Sequence, residues 1–262
     1  MDSMRTCLLA LLLSLPVSSF AQDCGDDAAA RITQAYQQRD TAALPDRSGW
    51  SIDAERGACR VWPADTSLTL IVVPFLGPEG PNGDSQSGDL DVLVVDSTSL
   101  RPRAGLRLPE VMSSDAIHVD SVGLDTARYN LSPGVRAFGV RSSRSNSSQP
   151  NPFSETRLQL LVLNGSNLEA ITGQIVVSSS GGEWDTRCAG EFHETKRTLE
   201  VGPSPAQGWA TLTIRERGSS TVNHEDAKGD CVEAREEQPV RSFKLLPRGR
   251  SYPLPSEVEA TF

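Results

Sequence analysis

From residue 58 to residue 246 the chain alternates extended apolar runs with short breaks rich in Gly, Pro, Asn, Asp and Ser. The runs are "SLTLIVVPF", "DLDVLVVD", "VRAFGVR", "TRLQLLVL", "AITGQIVV", "KRTLEV" and "WATLTIRE". In the last, Ala210, Leu212 and Ile214 alternate with Trp209, Thr211, Thr213 and Arg215, the pattern of a strand wet on one face. No helical period separates one run from the next. Strands joined by short turns with no helix between them pair antiparallel, so the expected fold is an all-β antiparallel meander. A β-sandwich is favoured over a propeller-like arrangement. Asn164-Gly165 between two such runs predicts a hairpin with a type I′ turn, which needs positive φ at both central residues.

One helical pattern precedes the strands. In "GDDAAARITQAYQQRD", beginning at Gly25, acids occupy the first turn and Ile32, Ala35 and Tyr36 fall on one face. Residues 22–57 are therefore read as a short N-terminal helical segment and 58–246 as the β domain. Residues 247–262, with three prolines, read as an extended or frayed tail. Stretches 77–89, 141–152 and 216–230 are polar and read as loops.

The first 21 residues, "MDSMRTCLLALLLSLPVSSFA", follow the charged, apolar, small-residue order of a secretory signal peptide. Their apolar core is too short to span a bilayer, and no later run approaches eighteen apolar residues, so no transmembrane segment is expected. Cys24 stands too late for a lipoprotein cleavage motif, and the mature chain is expected to start at Gln22. Cleavage removes Cys7 and leaves Cys24, Cys59, Cys188 and Cys231, an even set that reads as a disulfide framework. Three pairings are open; the local one, Cys24 with Cys59 and Cys188 with Cys231, is favoured because each closes a loop of about 35 to 45 residues. None of the spacings is C-x-x-C, which speaks against thiol redox catalysis and a zinc ribbon. The net charge of −9 survives cleavage, since Asp2 and Arg5 cancel, and disfavours nucleic acid as a partner.

The densest chemistry lies in "GGEWDTRCAGEFHETKR", residues 181–197. An extended backbone places Glu191 and His193 on one face. Glu183 and Asp185 join them only if the chain doubles back near Gly190. Such a cluster suits a metal or acid–base work. The plainer alternative has Cys188 in a disulfide, Trp184 packed over it, Phe192 in the core and the acids as a solvated rim. Neither "HETKR" nor "HEDAK" completes an H-E-x-x-H zinc motif. "GDSQSGD" places Ser85 in a hydrolase-like context. A serine nucleophile needs a histidine base, and none of His118, His193 and His224 stands in a matching sequence context.

"NGDSQSGDLDVLVVD" resembles the calcium loops of FG-GAP-type propeller blades, without their dense Asp-x-Asp-x-Asp-Gly order. The resemblance implies Ca²⁺ on Asp84, Asp89 and Asp91 as the one cofactor to consider. "LDTARYNLSPGVRAFGVR" sets Arg128, Arg136 and Arg141 near one strand, either as a basic groove for an anion or in ion pairs with the surplus acids.

"CRVWPADTSLTLIVVPF", "DLDVLVVD", "LDTARYNLSPGVRAFGVR" and "GEWDTRCAGEFHETKRTL" together resemble uncharacterised exported proteins of Gram-negative proteobacteria. The resemblance implies periplasmic residence and no particular mechanism. The expected function is a soluble periplasmic module without catalytic activity, binding a small ligand or an envelope protein. The alternatives are a metal-dependent envelope hydrolase using residues 183–194 and a calcium-stabilised β-module.

Overall fold

The computed structural model describes residues 23–39 and 44–260; the segment read as a signal peptide lies outside the described residues. A 3-10 turn, Gly25–Asp27, leads into α1, Ala28–Gln37. One sheet holds β1 (Ser51–Ile52), β2 (Ala58–Val61), β3 (Leu68–Glu79), β4 (Gln86–Asp96) and β5 (Pro102–Leu108). The other holds β6 (His118–Ser132), β7 (Val135–Ser145), β8 (Phe153–Asn164), β9 (Asn167–Ala170) and β10 (Ile175–Trp184). It continues through β11 (Gly190–Val201), β12 (Leu212–Glu225), β13 (Cys231–Glu237) and β14 (Arg241–Leu245). The orders are β1-β3-β4-β5, with β2 also on β3, and β13-β12-β11-β10-β8-β7-β6, with β14 on β12 and β9 on β8. Neighbouring strands pair antiparallel, and the two sheets form a sandwich, with no closed barrel among the described residues.

Three apolar clusters hold it together. Leu70 and Val72 of β3 and Leu90, Val92 and Val94 of β4 meet Phe138, Val140 and Leu161 of the second sheet between the layers. The alternate residues Ile71, Val73, Phe75, Leu93 and Val95 face the other way, onto Ile32, Ala35 and Tyr36 of α1. β3 and β4 are thus buried on both faces, which is why their sequences read as continuous apolar runs. Each such side chain stabilises the fold by roughly 1.5–3 kcal/mol when fully buried. The third cluster lies on the second sheet, around Leu158, Leu160, Ile175 and Leu212.

Cys24–Cys59 ties the start of the helical segment to β2, with Cα atoms 5.5 Å apart. The Arg60 guanidinium reinforces this join at 2.6 Å from Asp23. Among the described residues no helix is long and apolar enough to cross a membrane.

The structure departs from the sequence reading in the loops, the tail and one turn. β12 runs through most of 216–230, β7 reaches Ser145, and β3 and β4 enter 77–79 and 86–89, all read as loops. The 247–262 tail is extended but not frayed over its described part. Tyr252 is 1 % exposed, Val258 fully buried, and the Tyr252 hydroxyl donates to the Ala210 carbonyl at 2.7 Å. The hairpin at Asn164-Gly165 forms, but Asn164 is itself paired, with Asn167, so the turn centres on Gly165-Ser166. Only Gly165 has positive φ there, so the turn is not type I′.

Candidate functional site

The stretch 181–197 forms the β10–β11 hairpin, and the chain does double back before Gly190. With the far halves of β12 and β13 it makes a four-stranded arm beyond the sandwich core. Little of this arm is buried: β13 is exposed at every residue but Val232, and Val222 is 44 % exposed. Cys188, in the hairpin turn, is bonded to Cys231 at the start of β13, with Cα atoms 5.6 Å apart. The turn is set by Asp185, whose Oδ1 accepts the N–H groups of Arg187 and Cys188, both at 2.8 Å. Those bonds hold the Asp185 carboxyl below the usual carboxylate range.

Register sorts the arm's side chains into two faces. Trp184 lies opposite Gly190, which lies opposite Asn223; Gly182 lies opposite Phe192, which lies opposite Thr221. Directly paired residues and alternate residues share a face, so Trp184, Phe192, Thr221 and Asn223 lie together. The two glycines leave bare backbone on which the Phe192 ring rests. A Cβ at Gly182 would stand 2.6 Å from Phe192 Cδ1, and one at Gly190 2.9 Å from Phe192 Cε2. Phe192 therefore lies on the arm and in none of the core clusters, contrary to the plainer sequence reading. Asn223 Oδ1 is buried with no hydrogen-bond donor among the described residues. An open hollow of about 1010 Å³ at the arm's tip is lined by these residues together with Pro150, Asn151 and the acids.

The opposite face carries Glu183 directly across from Glu191, and His193 across from Gly181. Neither glutamate has an ion pair or hydrogen bond among the described residues. Like charges directly opposite one another are destabilising.

The metal-ligand sets read from the sequence do not assemble. Among the described residues no three His, Cys, Asp or Glu side chains converge to hold an ion. Glu191 and His193 share a face as expected, and the doubling back brings Glu183 onto it, but the three side chains do not converge on one point. Asp84 sits exposed in the β3–β4 turn, while Asp89 and Asp91 are buried on β4, facing α1. Arg107 takes Asp91 at 2.7 Å, and Arg47 approaches Asp89 at 3.0 Å. Alternation along a strand put the two acids on one side, and arginines from distant segments neutralise them. Ser85 Oγ meets Asp84 at 3.5 Å and no histidine.

The three arginines of 124–141 do not make one groove. Arg141 closes on Asp125 at 2.7 Å, an ordinary ion pair, while Arg128 and Arg136 have no carboxylate in ion-pair reach among the described residues. Sequence reasoning missed Asn223 and Arg107 altogether. Asn223 lies in a polar run that carries no period-2 signal, and Arg107 acts through a partner sixteen residues away. No family model, curated protein or solved structure matches this chain.

Proposed function

We propose that the chain is an exported periplasmic binding module without catalytic activity, and that its arm recognises the uncharged sugar face of an envelope glycan. The observation that carries this reading is the arm itself, a sheet extension wet on both faces and clamped at its tip by Cys188–Cys231. Strands that bury so little apolar surface add little to stability and leave their side chains open to contact with something outside the fold.

The arm's chemistry narrows the ligand. A pyranose ring presents a face of C–H bonds that packs on aromatic rings, and a rim of hydroxyls that pair with amides and hydroxyls. Trp184 and Phe192 supply the platform, and Asn223 and Thr221 supply the polar partners beside it. Glu183 and Glu191 behind the platform and the net charge of −9 disfavour polyanions. Two disulfides in a chain with a signal-like leader support the periplasm as the place of action.

Calorimetric titration of residues 22–262 with chitohexaose and cellohexaose tests this reading, together with co-sedimentation on purified peptidoglycan. Binding should weaken at least tenfold, about 1.4 kcal/mol, in Trp184→Ala and Phe192→Ala while the melting temperature holds. No binding to any of the three probes overturns the glycan reading. Shortening of the sugars during titration overturns the non-catalytic one.

A further inference from the structure

We propose that the cleft between residues 62–68 and the β6–β7 hairpin binds a small organic carboxylate that carries an apolar body. This site is remote in sequence from the arm and does not depend on what the arm binds. The cleft, of about 720 Å³, opens at one end of the sandwich. Trp62, Leu68, Val135 and Leu163 give it apolar walls, and Arg136 gives it a cation.

Two buried donors there are unsatisfied. Trp62 is only 7 % exposed, and its Nε1–H has no acceptor among the described residues. Arg136 alternates along β7 with Phe138 and Val140, so it leaves the strand on the side that faces the inter-sheet core. Its Nη2 donates to the Thr126 carbonyl at 3.0 Å and the Ala127 carbonyl at 3.4 Å, where β6 pairs irregularly with β7. Its Nε is buried with no partner among the described residues. Burial, and then the neighbouring Arg128, press on its charge, lowering its pKa, and no carboxylate offsets them.

Arg136 thus differs from the arginines that anchor the sheets. Arg107, Arg141 and Arg197 each reach a carboxylate at 2.7 Å, and acids outnumber bases 34 to 25. Asp65 also lines the cleft; its Oδ1 accepts the Ser67 N–H at 3.1 Å and the Ser67 hydroxyl at 2.6 Å, and it makes no ion pair with Arg136. A guanidinium without a counter-ion fits a planar carboxylate, and the walls around it favour a hydrocarbon body over water.

Titration of residues 22–262 with octanoate, octan-1-ol and inorganic phosphate tests the assignment. Octanoate should bind one to one, octanol at least tenfold more weakly, and phosphate not at all. Arg136→Gln should abolish octanoate binding and Arg136→Lys weaken it. Because Arg136 also serves backbone carbonyls, Ser204→Trp provides a second variant. Ser204 is exposed on the cleft's lining, so the indole should block entry and leave the melting temperature unchanged. Failure of octanoate, hexanoate and phenylacetate alike to bind overturns the proposal. So does binding of octanol or phosphate as tight as octanoate, or unchanged octanoate binding in Ser204→Trp.

Discussion

The Tyr36 hydroxyl donates to Asp91 Oδ2 at 2.7 Å, pinning α1 to the middle of β4. Arg107 closes on the same carboxylate from β5, with Nε 2.7 Å from Oδ1 and Nη2 2.8 Å from Oδ2. Its Nη1 donates to the Pro45 carbonyl at 2.6 Å, and its guanidinium lies 3.9 Å from the centre of the Phe75 ring. Burial alone would lower the Arg107 pKa; the bonds and charge of Asp91 raise it above the ordinary arginine value.

Removing the shared acceptor should therefore cost more than removing one donor. Asp91→Ala leaves the Arg107 guanidinium only the longer contact to Asp89, at 3.8 Å, and leaves the buried Tyr36 hydroxyl without its acceptor, and is expected to lose about 3–5 kcal/mol. Tyr36→Phe leaves the bidentate pair intact and should lose about 1.5–3 kcal/mol. Urea unfolding with an unchanged m-value measures both.

The three tyrosines, Tyr36, Tyr129 and Tyr252, all resist ionisation in the fold. Burial first, and then Asp91 and Asp125, push Tyr36 and Tyr129 well above the usual phenol range. Burial pushes Tyr252 up to about 12. A phenol whose folded pKa is raised contributes stability that is complete below pH ~10 and is lost as pH climbs above it. Absorbance at 295 nm should therefore stay flat through pH 10 and rise only with the loss of far-UV circular dichroism. A normal phenol titration in a still-folded protein would contradict this.

The two disulfides should differ in what their loss does. The chain-entropy model assigns about 4 kcal/mol to a loop of either size. Cys24–Cys59 staples the segment that covers Ile71 and Phe75, so Cys24→Ser with Cys59→Ser should lower global stability by up to that amount. Cys188–Cys231 clamps an arm with little buried surface. Its loss should appear as faster amide exchange in 184–190 and 224–235, with a smaller change in the main transition.

Glu216 sits buried between Arg197, at 2.7 Å, and Arg241, at 2.5 Å, joining β11, β12 and β14. Arg197 also donates to the carbonyls of Val176 at 2.7 Å and Glu257 at 2.8 Å, so the chain's last segment depends on it. Glu216→Ala should cost about 3–5 kcal/mol by leaving two guanidinium groups without their anion. Thermal unfolding of the variant measures it.

Calcium should leave the melting temperature unchanged, with or without prior EDTA. Asp89 and Asp91 already face Arg47 and Arg107, and Asp84 lies apart from them in the turn. A rise of several degrees on adding Ca²⁺ would restore the calcium reading.

The legible parts of the fold were those with a strong hydrophobic period. α1, the doubly buried β3 and β4, and the alternating start of β12 all carry that signal, because burial on a fixed face imposes it. The arm was illegible for the same reason. β13 and the far half of β12 are wet on both faces, so nothing in their sequence distinguishes strand from loop. The buried tail was missed because Tyr252 and Val258 are isolated anchors among prolines and acids, with no period to announce them.

By itself the sequence determined the all-β class, a short helix ahead of the strands and a framework of two disulfides, since each follows from composition and spacing along the chain. Only the tertiary structure decided that Asp89 and Asp91 face Arg47 and Arg107. It also decided that Arg141 is paired with a carboxylate while Arg136 is not, and that Trp184 and Phe192 share a face. Those facts depend on which distant segments meet across a sheet. Strand register, set by the burial of other residues, fixes that meeting, and no local pattern records it.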